Sequence, residues 1–585
     1  MPLVLAANST FRLADWAVLA AYLALLVATG VWFSRREQKT TNEYFLAGRR
    51  MPMWAVAVSI IATSLSAATF VGAPEQSYVG DLTYLSTNIG GLIAVIVVAY
   101  FFVPAFYRNN CTTVYELLER RFGPSSKYAT SAAFMVGRLF ASGARVYIAA
   151  IPMTVLIFGP SQMEPETLVT CMIASVVGLA VVGTAYALVG GVAGVIWTDV
   201  VQTVVLVIAV AAAIMVLLLR IHAPLGEVFE ALRGSVPRDQ NLSGAWGKLT
   251  LIRPGFDATK PYFAFSPSES YTVVTALFGF SLLNIAAYGT DHDLVQRMLT
   301  CRSSVQASKS VLASMAIGFP IVVLFSVIGL LLFVYYEMPF IPGRLFPQQF
   351  PERFSPNQVL IQFMLTQMPP GLAGLMLAGL FAAGVGSLTS AINAMAATFI
   401  KDFYTRWSPN HGERHYLAAS KVAVVAWGIA LAAFACLCVF WQRSSPNTTL
   451  ISLALGVMTF AYAGLLAVFL TALFTRRGNT TTVIASLITG FVVIALLQEP
   501  VWNRWTPFVP VIGARLSSVS LAFPWHMTIG TTLAFLVCIS GRPPKHPTRR
   551  PPGSQPATCS HCGYEMTGVS GGVCPECGRS ALELA

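Results

Sequence analysis

Residues 62–69 read Ala-Thr-Ser-Leu-Ser-Ala-Ala-Thr, inside an apolar run over 53–73, with Gly72 and Pro74 close behind. Four of these eight side chains carry hydroxyls. Hydroxyls can bond nearby backbone groups in place of the helical ladder, and Pro74 removes one donor outright. The stretch therefore reads as a helix interrupted inside a hydrophobic span. Irregular backbone at membrane depth is tolerated only where it is buried in protein or lines a wet cavity. The plainer alternative is that Ser and Thr simply bond their own helix.

Working outward, a second apolar run at 271–290 carries Gly279-Phe280-Ser281, then Asn284 and Tyr288-Gly289. The two runs open two blocks of five apolar segments each, 52–220 and 270–474. Paired interruptions at matching places in two halves point to an inverted-repeat transporter with its site near the bilayer midplane. Counting runs of about 20 apolar residues predicts about thirteen transmembrane helices. They lie at 13–33, 53–73, 82–106, 128–158, 167–188, 195–220, 271–290, 311–335, 370–400, 422–441, 450–474, 481–498 and 519–540.

Composition agrees. Of 585 residues 55% are hydrophobic and 11% charged, against about 25% charged in ordinary soluble chains. The net charge of +12 comes from short basic clusters between apolar runs, which suits loops on the cytoplasmic side of a membrane and not a nucleic-acid surface. Arg35, Arg36, Lys39, Arg49 and Arg50 follow the first run, and basic residues also follow the third, seventh, ninth, eleventh and thirteenth, so the N-terminus is expected outside and the C-terminus inside. No cleavable signal peptide is expected, because the segment before Arg12 is uncharged and the first run is long.

Several motifs, in order, resemble the sodium:solute symporter family, which includes sodium/glucose, proline, sialic acid and monocarboxylate cotransporters. They are Glu43-Tyr44-Phe45-Leu46-Ala47-Gly48-Arg49, Leu65-Ser66-Ala67-Ala68-Thr69-Phe70, and Gly190-Gly191 leading to Trp197-Thr198-Asp199 and Gln202. Val295-Gln296-Arg297 and the run from Ala378 through Ser390, Asn393 and Asp402-Phe403-Tyr404 follow. The resemblance covers residues 12–540. It implies an all-α membrane domain with a LeuT-like five-plus-five inverted repeat after one leading helix.

The resemblance also implies ligands. One sodium would be held by the carbonyls of Ala62, Leu65 and Ala383 and the hydroxyl of Ser387; a further hydroxyl, usual in the family, is replaced here by Gly386. A second would use Asp199, Thr389 and Ser390. Sodium is a hard cation that takes oxygen ligands, and a carboxylate within a span is a functional candidate, although a helix N-terminal Asp stabilised by the dipole is the structural alternative. Substrate contacts are expected from Ser66, Thr69, Tyr84, Asn88, Arg138, Asn284 and Tyr288. Arg138 would pair with a carboxylate. Arg145, one heptad further on the same face, is the other intramembrane arginine; either could instead pack against loops or snorkel. Ala287, where sugar carriers place a bulky aromatic, argues against a stacked hexose. Asp291-His292-Asp293 reads as solvated charge in a cytoplasmic loop, with no site.

After Ser540 a Pro-rich basic linker (541–557) leads to Cys559-x-x-Cys562 and Cys574-x-x-Cys577. Four thiolates at this spacing suit structural zinc in a small ribbon over 558–580; a redox dithiol is the alternative. The whole reads as a sodium-driven symporter of the cell (cytoplasmic) membrane that imports a small organic solute, expected to bear a carboxylate. It would need sodium, zinc and the lipid bilayer and no nucleic acid. The rival reading is a transporter-like sensor that signals through its tail. No nucleophile–base pair or catalytic metal cluster appears within the spans, so an enzyme is not expected.

Overall fold

The computed structural model describes residues 12–34, 40–158, 165–235, 247–257, 264–337, 358–443, 450–498 and 521–543. The segment 544–585, a separate unit, lies outside them, and with it Cys559, Cys562, Cys574 and Cys577. Among the described residues the body is helical, apart from one short antiparallel pair, β1 (Phe256–Asp257) with β2 (Ala264–Phe265).

The first half runs α1 (Leu13–Ser34), α2 (Thr41–Leu46), α3 (Met53–Ser64), α4 (Ala67–Val79) and α5 (Thr83–Arg108). It continues through α6 (Glu116–Phe122), α7 (Pro124–Phe158), α8 (Glu166–Leu188), α9 (Gly191–Ile221) and α10 (Leu225–Arg233). The second half holds α11 (Val273–Gly289), α12 (His292–Leu299), α13 (Ser304–Glu337), α14 (Val359–Thr366) and α15 (Leu372–Trp407). Finally come α16 (Glu413–Arg443), α17 (Leu450–Phe474), α18 (Thr480–Leu496) and α19 (Phe523–Ile539). Among the described residues eight helices are long and apolar enough to cross a bilayer, or ten if each of two bent pairs is one span. The described parts of the first, twelfth and thirteenth expected segments are shorter apolar helices, Leu13–Thr29, Thr480–Leu496 and Phe523–Ile539.

The first bent pair is α3 with α4, turned by 63°. Leu65 (φ −81°, ψ 102°) and Ser66 (φ −104°, ψ 175°) are extended, so the last carbonyls of α3 lose their intrahelical partners. This is the interruption expected at 62–69. The second pair is α11 with α12, turned by 53° at Thr290-Asp291. The sequence spreads that interruption over Gly279-Phe280-Ser281, Asn284 and Tyr288-Gly289; the structure puts it directly after Gly289 and finds no break at Gly279-Phe280-Ser281. Residues Ala276–Phe280 form one π turn within a continuous helix, and a Cβ at Gly279 would come 2.4 Å from Pro524 Cβ. Gly279 serves close packing against α19. Asp291, not a glycine, starts the new helix: its carboxylate accepts the Asp293 N–H at 2.9 Å, a side-chain N-cap.

Gly191 separates α8 from α9 with φ 53°, ψ −176°, a backbone essentially limited to glycine. Helix α15 lies at the centre, with 89% of its most apolar window buried, against 28% for α8. Asp15 of α1 caps α15 by accepting the N–H groups of Gly371 at 2.7 Å and Gly374 at 2.9 Å. Val181, Val422, Ile429 and Leu437 stay 62–69% exposed, as apolar side chains facing lipid do. At one end, the 43–49 motif docks on the 295–301 segment. Gln296 Nε2 donates to Phe45 O at 2.8 Å and Met51 N–H to Thr300 O at 3.1 Å, while Arg49 donates to Cys111 O at 2.9 Å. Burial there pushes the Cys111 and Cys301 thiols up to about 12.

Candidate functional site

A cavity of about 170 Å³ opens beside the first break. Ser66 and Thr69 reach it because the bend exposes the start of α4; Tyr84 and Asn88 come from α5, and Asn284 and Tyr288 from α11. Arg138 and Arg145 come from α7, and Met458 and Tyr462 from α17. The structure thus brings all seven expected substrate residues to one cavity. Met458 and Tyr462 were missed, and nothing in their local sequence singles them out. Asn88 and Asn284 each spend their amide on their own helix, donating to Leu85 O at 3.0 Å and Phe280 O at 2.9 Å, which leaves their oxygens as acceptors or ligand contacts.

The two arginines differ in kind. Arg138, 2% exposed, donates to Asp291 Oδ2 at 2.8 Å and to Asp293. Tyr462 also donates to Asp291. Arg145 is buried too, but its Nη2 meets the Met458 thioether at 3.2 Å. Among the described residues no carboxylate lies within ion-pair distance of it. A sulfur is a weak acceptor, so the cavity presents one buried cation without an anion.

Asp291, His292 and Asp293 are 0–1% exposed. Reading them as solvated loop charge is therefore overturned: the bend of α11–α12 carries them into the protein. There they belong to a network that extends to the expected sodium residues. Arg297 Nη1 donates to Asp293 Oδ1 at 2.8 Å, its Nε to Ser59 Oγ at 2.8 Å, and its Nη2 lies 3.3 Å from Asp199 Oδ2. Ser59 in turn donates to Asp199 at 2.5 Å. Ser390 donates to Asp293, and Thr389 to Val385 O at 2.7 Å on its own helix. Asp199, Thr389 and Ser390 are thus near one another but are not bonded as a set. Two arginines and three carboxylates share this buried region, and such networks are tolerated only when each member is hydrogen-bonded.

The other expected sodium ligands meet separately. Ala62, Leu65 and Ala383 line a second cavity of about 10 Å³, with Gln202 on its wall. Ser387 follows Ala383 by one turn and donates to Gly384 O at 3.1 Å. Freed carbonyls at a helix break and a neighbouring hydroxyl are oxygen donors of the type a hard cation takes.

Residues 44–490 match the family model described as the sodium:solute symporter family. The chain belongs to the sodium:solute symporter family. This symporter-family chain is 28% identical over 528 residues to the sodium/sialic acid symporter NanT of Aliivibrio fischeri, covering 90% of itself and 92% of that protein. A solved structure described as the substrate-bound outward-open state of a Na+-coupled sialic acid symporter superposes with a TM-score of 0.69. That match has 25% identity and covers 91% of this chain and 98% of that one. The fold is also shared with Mhp1, a nucleobase-cation-symport-1 family transporter in a closed conformation, at a TM-score of 0.51, 15% identity, 86% of this chain and 94% of that one. These relatives are transporters, so the sensor reading finds no support among them.

Proposed function

We propose that the chain is a sodium-coupled symporter that carries a small carboxylate-bearing solute by alternating access, with Arg145 as the cation for the carboxylate. The observation that carries this reading is the contrast within α7: Arg138 is occupied by two carboxylates, while Arg145 faces the cavity bonded to the Met458 thioether and, among the described residues, to no carboxylate. An intramembrane arginine needs an anion or a wet cavity, and a solute carboxylate supplies both charge and bidentate geometry. Ser66 and Thr69 donate to the same group; Tyr84, Asn88, Asn284 and Tyr288 contact the rest of the solute. Arg138 moves from solute contact to positioning. The similarity to sodium/sialic acid symporters supports a carboxylate substrate class.

Sodium binds at Ala62, Leu65, Ala383 and Ser387, and at Asp199 with Thr389 and Ser390. The blocks 52–220 and 270–474 rock about this fixed centre, in the cell membrane, with the N-terminus outside and the C-terminus inside. The tail binds structural zinc through Cys559, Cys562, Cys574 and Cys577. The test is sodium-dependent counterflow of labelled organic acids, amino acids and sugars in proteoliposomes. Counterflow confined to acids, weakened at least about thirtyfold in affinity by Arg145→Ala, is expected. Counterflow of neutral solutes only, or driven by protons and indifferent to sodium, refutes it.

A further inference from the structure

Gln202 stands one turn after Asp199 on α9 and is 3% exposed, yet among the described residues neither its Oε1 nor its Nε2 makes a hydrogen bond of ordinary geometry. The Tyr22 hydroxyl of α1 interacts with this amide, but outside ordinary hydrogen-bond geometry. A buried amide left unsatisfied costs about 1–3 kcal/mol, and such a group in a native structure asks for an absent ligand. Across from it on α15 is Gly386. A Cβ built there would lie 2.5 Å from Gln202 Oε1 and 3.8 Å from Asp199 Oδ1. The amide oxygen therefore occupies the place where a side chain at 386 would begin. The same Gln202 walls the cavity of about 10 Å³ beside Ala62, Leu65 and Ala383, which is about the room one water-sized occupant needs.

We propose that Gln202 supplies the oxygen that Gly386 does not. Its Oε1 is a sodium ligand, and the pair Gly386–Gln202 replaces a hydroxyl-bearing residue at 386. The inference rests on the sodium-coupled reading above. An amide oxygen is a neutral hard donor, matched to a monovalent hard cation and to the carbonyls around it. The lone glycine is what makes the arrangement sterically open: any side chain there would meet the amide.

The test uses the purified full-length chain in detergent. Sodium chloride is titrated at constant ionic strength against choline chloride without solute, read by thermal-unfolding midpoint and by binding of radioactive sodium. Wild type should show saturable stabilisation and binding. Gln202→Ala and Gln202→Leu should raise the half-saturating sodium concentration about tenfold to a hundredfold. Gly386→Ser in the Gln202→Ala background should bring it back to within about threefold of wild type, the serine hydroxyl using the space the amide has left. Tyr22→Phe should leave it unchanged. Wild-type sodium binding in folded Gln202→Leu overturns the assignment, as does a Tyr22→Phe effect as large as that of Gln202→Ala. Loss in Gln202→Ala without recovery in the double variant overturns the pairing with Gly386. If Gln202→Leu does not fold, the single and double alanine-background variants decide. A wild type that neither binds sodium nor is stabilised by it sinks the sodium-coupled reading itself, a result distinguishable from all of these.

Discussion

Replacing Arg138 by alanine separates the two arginines of α7, which share a face but not a role. The Arg138 guanidinium bonds Asp291 Oδ2 at 2.8 Å and Asp293, and it is 2% exposed. Its loss leaves Asp291 with Tyr462 and the Asp293 N–H, and Asp293 with Arg297 and Ser390. Removing one member of a buried ion pair destabilises by about 3–5 kcal/mol, a large part of the roughly 5–15 kcal/mol that holds an ordinary domain together. Arg138→Met would fill more of the volume yet strand the same carboxylates, so it should lose nearly as much. Arg145→Ala should behave in the opposite way. No carboxylate among the described residues depends on Arg145, so the fold should hold while acid binding falls by about 2–5 kcal/mol. Thermal unfolding of the purified protein measures the first quantity, and equilibrium binding of a transported acid the second. If Arg138→Ala is as stable as wild type but loses the acid, while Arg145→Ala binds it normally, the carboxylate belongs to Arg138 and the present assignment is refuted.

Asp199→Ala should abolish the sodium dependence of uptake, and it also frees Arg297 Nη2, now 3.3 Å from Asp199; uptake against a sodium titration reads this directly. Deleting 556–585 should remove one zinc per chain by elemental analysis and leave uptake per inserted molecule intact, because the described helical body ends before that segment. Cys111 and Cys301, with thiols raised to about 12 by burial, should react with maleimide at pH 8 roughly a thousandfold more slowly than an ordinary thiol near 8.5. Their rates should climb about tenfold per pH unit as more thiolate forms, a slope that mass spectrometry of labelled protein can follow.

The first break was legible because the signal is local, a cluster of hydroxyls around Leu65, although Gly72 and Pro74 turn out to lie inside the continuous helix α4 and do not make the break. The second was legible only in part: Gly289 marks it, but Gly279 looked equally like a break, and only the position of Pro524 shows that Gly279 serves a close approach instead. The same limit hid the network. Asp291 and Asp293 look like solvated charge until the bend brings Arg138, more than 150 residues away in the chain, against them. Arg138 and Arg145 were visible as a pair one heptad apart, but periodicity says only that they share a face. Which one is neutralised depends on partners from α12 and α17. The Glu43–Arg49 and Val295–Arg297 motifs were visible separately; their docking through Gln296 and Phe45 is a tertiary fact.

Counted by charge, the centre of the protein is balanced. Arg138 and Arg297 pair with Asp199, Asp291 and Asp293, and Arg145, unpaired among the described residues, lies one heptad from Arg138 on the same helix, all six side chains being buried. On the proposed assignment, an organic acid entering beside Arg145 would tip that region one unit negative, in surroundings where an uncompensated charge is strongly disfavoured. A sodium ion arriving with it restores neutrality. Cotransport then needs no mechanical linkage between the two ligands to account for their mutual dependence, because each makes the other electrostatically welcome. On this account one sodium per monovalent acid moves no net charge across the membrane. Every further sodium renders the cycle electrogenic, so that the membrane potential, as well as the sodium gradient, sets how far the solute is concentrated.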